Sequence, residues 1–311
     1  MKQAVIDIGS NSMRLTVYEI SDESFKILFR EKNMAGLAGY IESGALSDDG
    51  IKCAYNGLLD FKDTMDSLGI NHARVFATAS LRNIRNTQEA LATIRAATGY
   101  QVEIISGEDE ALFGYIGAMR ELHLTKGAFL DIGGASTEVA VFFQGAVRAA
   151  ASFPIGSLSL YRECVKKITP GESALKRIRG AISTELEEQK LFKFDKQSSL
   201  ACVGGTARAA LKVAKKVCGL PSECRSMTGA QLEEVCMLLC KGDKAAVRLI
   251  LNLEPDRIHT MVPGIMIMNH VSKLFQADEI VISKFGVREG YLCQRILQSG
   301  VKNIYTPKTG N

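Results

Sequence analysis

The chain has 311 residues, 46% of them hydrophobic and 23% charged. That length suits two domains rather than one, the composition is that of an ordinary globular protein, and no run approaches the ~18 apolar residues of a membrane span. The 38 basic and 34 acidic side chains give a net charge of +4, and without a Lys/Arg tract the sequence shows no nucleic-acid footprint.

The opening residues, Met1 to Asp7, have no long apolar run before the first acid, which reads as no signal peptide and a cytoplasmic protein. Val5-Ile6-Asp7 is an apolar strand ending at an acid. The turn Gly9-Ser10-Asn11-Ser12 follows, and Arg14 to Tyr18 leaves as an alternating strand. Ser47 to Leu68 is a helix, with Ser47 as its cap and Asp48 and Asp49 in its first turn. Ala73 to Thr78 is a short strand, Thr87 to Ala97 a helix and Val102 to Ile105 a strand. Glu108 to Leu122 is a helix with acids at its start, as the helix dipole prefers.

Phe129-Leu130-Asp131-Ile132-Gly133-Gly134-Ala135-Ser136 then repeats the opening pattern, and Glu138 to Phe142 is its outgoing strand. Asp7 and Asp131 are 124 positions apart, as are Gly9 and Gly133, Ser12 and Ser136, and Val17 and Val141. Two such units predict two domains of one type, dividing near Lys126-Gly127. Beyond lie a charged helix from Gly171 to Gln189 and a strand from Leu200 to Val203. Gly204-Gly205-Thr206 opens a helix to Val217. Further helices start at Thr228 and near Pro263, followed by a strand from Glu279 to Ser283 and a final helix from Val287 to Leu297.

An Asp at a strand end beside a Gly/Ser turn has a physical use. Glycine lets backbone N–H groups turn toward an anion, hydroxyls add donors, and the acid can hold Mg²⁺ that offsets phosphate charge. Gly205 and Thr206, at a helix start, suit an anion in the same way. The 8 cysteines form no CxxC pair and read as reduced small hydrophobes. The four histidines are scattered, Met261 to Met268 reads as a core face, and no P-loop or GxGxxG motif is present.

Two such turns in tandem resemble the actin, Hsp70 and sugar-kinase superfamily. Within it, the chain resembles the exopolyphosphatase/guanosine pentaphosphate phosphatase (Ppx/GppA) family. Asp7 to Ser12 is similar to that family's first phosphate motif. Thr78-Ala79-Ser80-Leu81-Arg82 with Asn86, Ile105 to Ala111, Asp131 to Glu138, and Gly286-Val287-Arg288-Glu289-Gly290 are similar to its later motifs, in order. The chain departs from the family at Ala135, where the pattern has a third glycine, and at Ser159, where arginine is common. The second departure implies that one phosphate-binding cation is missing, or that Arg162 takes its place.

The resemblance implies an α/β fold with two ribonuclease-H-like (actin-like ATPase) domains around a central cleft. They would span residues 1–125 and 126–311, with the final helix able to pack back on the first. It implies an exopolyphosphatase that releases terminal orthophosphate from inorganic polyphosphate. The chain stops where longer members continue, which favours short polyphosphate. Guanosine pentaphosphate hydrolysis is the rival reading; a non-catalytic phosphate or nucleotide sensor and a sugar or acetate kinase are the others. Glu110 and Glu138 would be the catalytic carboxylates, Glu110 as general base. Asp7, Asp131 and Glu138 would hold Mg²⁺ or Mn²⁺. Gly9, Ser10, Asn11, Ser12, Arg82, Gly133, Gly134, Ala135, Ser136, Thr137, Gly205 and Thr206 would bind phosphate, with Arg208, Arg257, Lys284 and Arg288 as weaker cation candidates. No nucleic-acid or membrane partner is expected, and a homodimer is compatible with the reading.

Overall fold

The computed structural model describes residues 1–22, 24–187 and 195–298. By internal contacts the chain forms two compact units. One comprises Met1–Glu110 with the described residues from Gln294 on, and the other Ala111–Cys293. The expected helix end at Gln189 and the last residues of the expected second domain lie outside the described residues. No helix among the described residues is long and apolar enough to cross a membrane.

In the first unit, β1 (Lys2–Ile8), β2 (Met13–Ser21) and β3 (Ser24–Asn33) form an antiparallel meander. A two-residue ribbon, β4 (Ile41–Glu42) with β5 (Ala45–Leu46), follows. β6 (Ala73–Ala77) and β7 (Val102–Ile104) then join parallel to β1, giving the order β3-β2-β1-β6-β7. Helix α1 (Asp48–Ser67) starts where expected, with Ser47 Oγ accepting from Gly50 N at 3.3 Å. Its residues Ile51, Ala54, Leu58, Phe61 and Met65 recur at helical spacing. They share one core with Ile6, Ile8, Met13, Leu15 and Val17 of the sheet. Four buried or half-buried residues make α2 (Ala79–Arg82), and α3 (Thr87–Thr98) ends on Gly99. Ser106 Oγ accepts from Asp109 N at 3.0 Å and so starts α4 (Gly107–Leu122).

The second unit repeats the scheme. β8 (Lys126–Ile132), β9 (Thr137–Phe143) and β10 (Ala146–Phe153) form a meander, then α5 (Ser157–Cys164) and α6 (Glu172–Glu187) follow. β11 (Ser199–Val203) lies parallel to β8 and leads into α7 (Gly204–Val217). β12 (Ser226–Thr228), α8 (Gly229–Cys240), α9 (Lys244–Leu253), α10 (Met261–Leu274), β13 (Glu279–Ile282) and α11 (Val287–Tyr291) complete it. The sheet order is β10-β9-β8-β11-β13-β12. A π-helical turn, Leu292–Ile296, follows α11. The Met261 to Met268 face is core, as expected: Met261, Ile265, Met266, Ile267 and Met268 are all buried.

The late glycine motif turns out to be a packing device. A Cβ on Gly117 of α4 would lie 2.0 Å from Gly286 O, and one on Gly290 only 1.8 Å from Phe113 O. Phe113 and Tyr291 meet edge to face beside this contact, with centroids 5.8 Å apart. Glu289 is 1% exposed and accepts from Gly286 N at 2.9 Å, capping its own helix. Glu121 near the end of α4 accepts from Ser283 Oγ at 2.8 Å and Lys284 N at 2.7 Å, and pairs with Arg225 at 2.7 Å. Replacing Gly290 by Ala overpacks backbone against backbone. Such strain costs about 1–3 kcal/mol or more, so the urea midpoint of Gly290→Ala should fall clearly. An unchanged midpoint would contradict the close packing.

Candidate active site

The expected site residues divide between the two units. In the first, Asp7 ends β1 opposite Arg14 of β2. The turn between them closes through Gly9 N to Ser12 O at 3.3 Å. Ser10 O and Asn11 O accept from Ala38 N and Gly36 N at 2.9 and 3.0 Å, which fixes the turn from outside. Ser10 and Ser12 are buried, and Arg14 Nε donates to Ser12 Oγ at 3.2 Å.

Arg82 and Glu110, far apart in sequence, are brought together in this unit. Arg82 Nη1 donates to Glu110 Oε2 at 2.9 Å and to Ile105 O at 3.0 Å. Both side chains are largely out of water, at 17% and 10% exposure. Among the described residues, Nε and Nη2 of Arg82 make no further hydrogen bond. Ser80, two residues before Arg82, donates from Oγ to Ile8 O at 2.5 Å. That bond ties α2 to the strand end next to the turn.

In the second unit Asp131 ends β8 and stands directly opposite Glu138 of β9. The turn closes as in the first copy, Gly133 N to Ser136 O at 2.9 Å. Ser157 N and Oγ donate to Gly133 O at 2.9 and 3.1 Å, and Leu158 N and Ser159 N to Gly134 O at 2.9 Å. Ser159, the residue that departs from the family pattern, accepts from Gly156 N at 2.9 Å and so caps α5. Ala135 is not among the residues with positive φ, so its methyl group adds no backbone strain there.

Glu138 is 1% exposed, and its Oε1 accepts from Ser152 Oγ of β10 at 2.7 Å. The hydroxyls of Thr137 and Thr206 are turned to the protein: Thr137 Oγ1 donates to Ile155 O at 2.6 Å and Thr206 Oγ1 to Ile132 O at 3.4 Å. Gly204 has φ +82°, and a Cβ there would lie 2.4 Å from Asp131 Oδ1. Arg257 covers Gly205, where a Cβ would meet its Nη2. Burial pushes the Arg257 guanidinium below its ordinary value, against the charges of Glu254 and Asp256. Cys202, in β11 beside β8, is buried, and desolvation with the Asp131 charge pushes its thiol up.

Lys284 is exposed and its backbone N–H serves Glu121, while Arg208 is exposed on α7. Among the described residues no three His, Cys, Asp or Glu side chains gather as a metal cage. The sequence reading names Ser80 and Gly204 only as members of motifs and does not single out Ser152 or Ser157.

Two strand–turn–strand units, one with a buried cation–carboxylate pair and one with two facing carboxylates, define a phosphate-handling α/β protein. The Ppx/GppA phosphatase family model matches residues 16–299, and the chain belongs to that family. It is 23% identical to Exopolyphosphatase 1 of Mycobacterium tuberculosis, over 95% of this chain and 88% of that protein. It is 25% identical to the guanosine-5'-triphosphate,3'-diphosphate pyrophosphatase of Vibrio vulnificus, over 92% of this chain but 58% of that protein. The crystal structure of the Aquifex aeolicus family member matches with TM-score 0.78 and 25% identity, covering 97% of this chain and 99% of that one. A Cytophaga hutchinsonii exopolyphosphatase structure shares the fold at TM-score 0.84 and 21% identity, over 96% and 98% of the two chains.

Gly204→Ala combines an unfavourable φ with a clash on Asp131. It should lower stability by more than ~1 kcal/mol and reduce phosphate release. A variant with wild-type melting and wild-type turnover would show that Asp131 does not need this wall.

Proposed function

We propose that this phosphatase is an exopolyphosphatase that releases terminal orthophosphate from inorganic polyphosphate. The Arg82–Glu110 pair carries the reading. Phosphoanhydride hydrolysis needs a base for the attacking water and cations for the charge on the transferring group. Here one buried pair supplies both: Glu110 comes from α4, and Arg82 from α2, which Ser80 ties to the strand end beside the phosphate turn. Water oxygen attacks the terminal phosphorus and the bond to the bridging oxygen breaks. The water proton passes to the Glu110 carboxylate, and the shortened chain leaves as an anion. Arg82 holds Glu110 before substrate arrives and offers its remaining N–H donors to phosphate oxygens.

Asp131 and Glu138 fit a divalent ion, Mg²⁺ or Mn²⁺. They are hard oxygen donors on facing strand positions, and such ions take one or two carboxylates with water and phosphate completing the shell. When bound, the ion offsets phosphate charge. Asp7 holds the matching position in the first unit, but there its register partner is Arg14, which makes it the poorer cation holder. Ser152 keeps one Glu138 oxygen oriented.

Guanosine pentaphosphate is the second reading, favoured by the glycine turn at the start of α7 with Arg257 lying over it. Phosphate release from a polyphosphate chain-length series, measured beside guanosine pentaphosphate at matched concentration, decides between them. Release from guanosine pentaphosphate alone would overturn the exopolyphosphatase reading.

Glu110→Gln should lose about 10²–10⁴ in kcat, the usual worth of a general base, with KM little changed. Arg82→Ala should both raise KM and lower kcat, because it releases Glu110 as well as phosphate. The double variant should fall short of the summed losses. Strict additivity would show that the two act separately.

A further inference from the structure

Cys236 and Cys240 are four residues apart on α8, so their side chains rise from one face of the helix. The Cys236 thiol lies within hydrogen-bonding reach of the Cys240 sulfur. The two differ in access. Cys236 is buried in the core of the second unit, whereas Cys240 is half-buried and is the last residue of the helix. Two cations from other helices lie near them. Arg179 of α6 acts on both sulfurs and Lys273 of α10 on Cys236, although Lys273 is already paired with Glu233 of α8.

The proton is therefore shared unequally. The S–H of Cys236, followed by the charge of Arg179, holds the Cys240 thiol below its ordinary value against the effect of burial. The same hydrogen bond, with burial behind it, pushes the Cys236 thiol up. A thiolate is favoured at the more accessible sulfur, with a protonated thiol beside it. Elsewhere burial pushes the thiols of Cys53, Cys164, Cys202, Cys218 and Cys293 up. A thiolate in positive, partly open surroundings with a second thiol next to it is the arrangement of a peroxide-reactive cysteine.

We propose that Cys236 and Cys240 form a redox-active dithiol, with Cys240 the sulfur that a hydroperoxide oxidises and Cys236 the thiol that resolves it. The Cys240 thiolate attacks one oxygen of hydrogen peroxide. The S–O bond forms as the O–O bond breaks, and the second oxygen leaves as hydroxide, which takes a solvent proton to become water. Sulfur is oxidised to a sulfenic acid and the peroxide is reduced. The Cys236 sulfur then attacks the Cys240 sulfur, the S–OH bond breaks, and the hydroxide leaves as water with the Cys236 proton. Cα atoms four apart on a helix are about 6 Å from each other, inside the disulfide range, but their Cβ atoms are spaced more widely than a disulfide accepts. The last turn of α8 must therefore give. Cys240 ends the helix, and Gly242 two residues on already has φ +61°, so little helix is lost.

The test is hydrogen peroxide in small excess on the fully reduced chain, followed by peptide mass mapping with and without dimedone, a trap for sulfenic acid. Wild type should gain one Cys236–Cys240 disulfide, reversed by dithiothreitol. Cys236→Ser should instead collect the dimedone adduct on Cys240, and Cys240→Ser should leave Cys236 unoxidised. Arg179→Ala, at an exposed position, keeps both thiols and should slow alkylation of Cys240 by iodoacetamide at neutral pH about threefold. Circular dichroism checks that each variant keeps the fold. Oxidation of Cys240 no faster than that of Cys224, a half-buried thiol of the same unit, overturns the proposal. So does a dimedone adduct on Cys240 that persists in wild type, or a disulfide joining either sulfur to another cysteine. None of these readouts uses phosphate release, so the dithiol stands or falls apart from the hydrolase reading.

Discussion

A carboxylate taken out of water must regain its hydrogen bonds or meet a counter-charge, or the fold loses several kcal/mol. Glu110 and Glu138 are both buried, and much of the local architecture follows from serving them. Glu110 is met by Arg82. That guanidinium needs its own support, so α2 is anchored through Ser80 to Ile8 O and Arg82 to Ile105 O. Glu138 is met by Ser152, which the β9–β10 register sets opposite it. Arg82 thus reaches Glu110 from another helix, and Ser152 reaches Glu138 from the neighbouring strand.

The two units share a scaffold and differ in chemistry at one telling position. Residues 124 apart carry the same turn, closed by the same Gly N to Ser O bond. Yet the residue facing the strand-end acid is Arg14 in one and Glu138 in the other. The facing pair is thereby charge-balanced in the first copy and doubly acidic in the second. A repeated turn serves both because the backbone, not the side chain, supplies its shape.

Where local chemistry decides an element, the sequence is readable. Ser47 and Thr228 cap their helices as their residue types predict, with Thr228 Oγ1 accepting from Gln231 N at 3.2 Å, and the Gly/Ser segments form turns. Residues 24–33 and 146–153 alternate only in part, and their strands β3 and β10 are fixed by pairing with β2 and β9. α5 is not among the elements read from the sequence, and its start is held by the carbonyls of Gly133 and Gly134, more than twenty residues away. α9 escapes the sequence reading although Asp243 caps it, accepting from Ala246 N at 2.8 Å. At the site, motif resemblance points to Glu110 and Arg82 singly. Their contact spans 28 residues, and no local pattern encodes it.

The place of β3 at the end of its sheet has a consequence of another kind. An edge strand offers its outer peptide groups to any other chain, and this one is ten residues long with Phe25, Ile27, Leu28 and Phe29 in it. Proteins guard such edges with charged side chains, lysine above all. Lys26, Arg30 and Lys32 are exposed along β3, and they set a positive barrier against strand-to-strand association. Solubility of the folded chain and the charge it presents near the phosphate turn therefore draw on the same few residues. A sequence drifting toward neutrality along β3 would be exposed to aggregation before its core was affected.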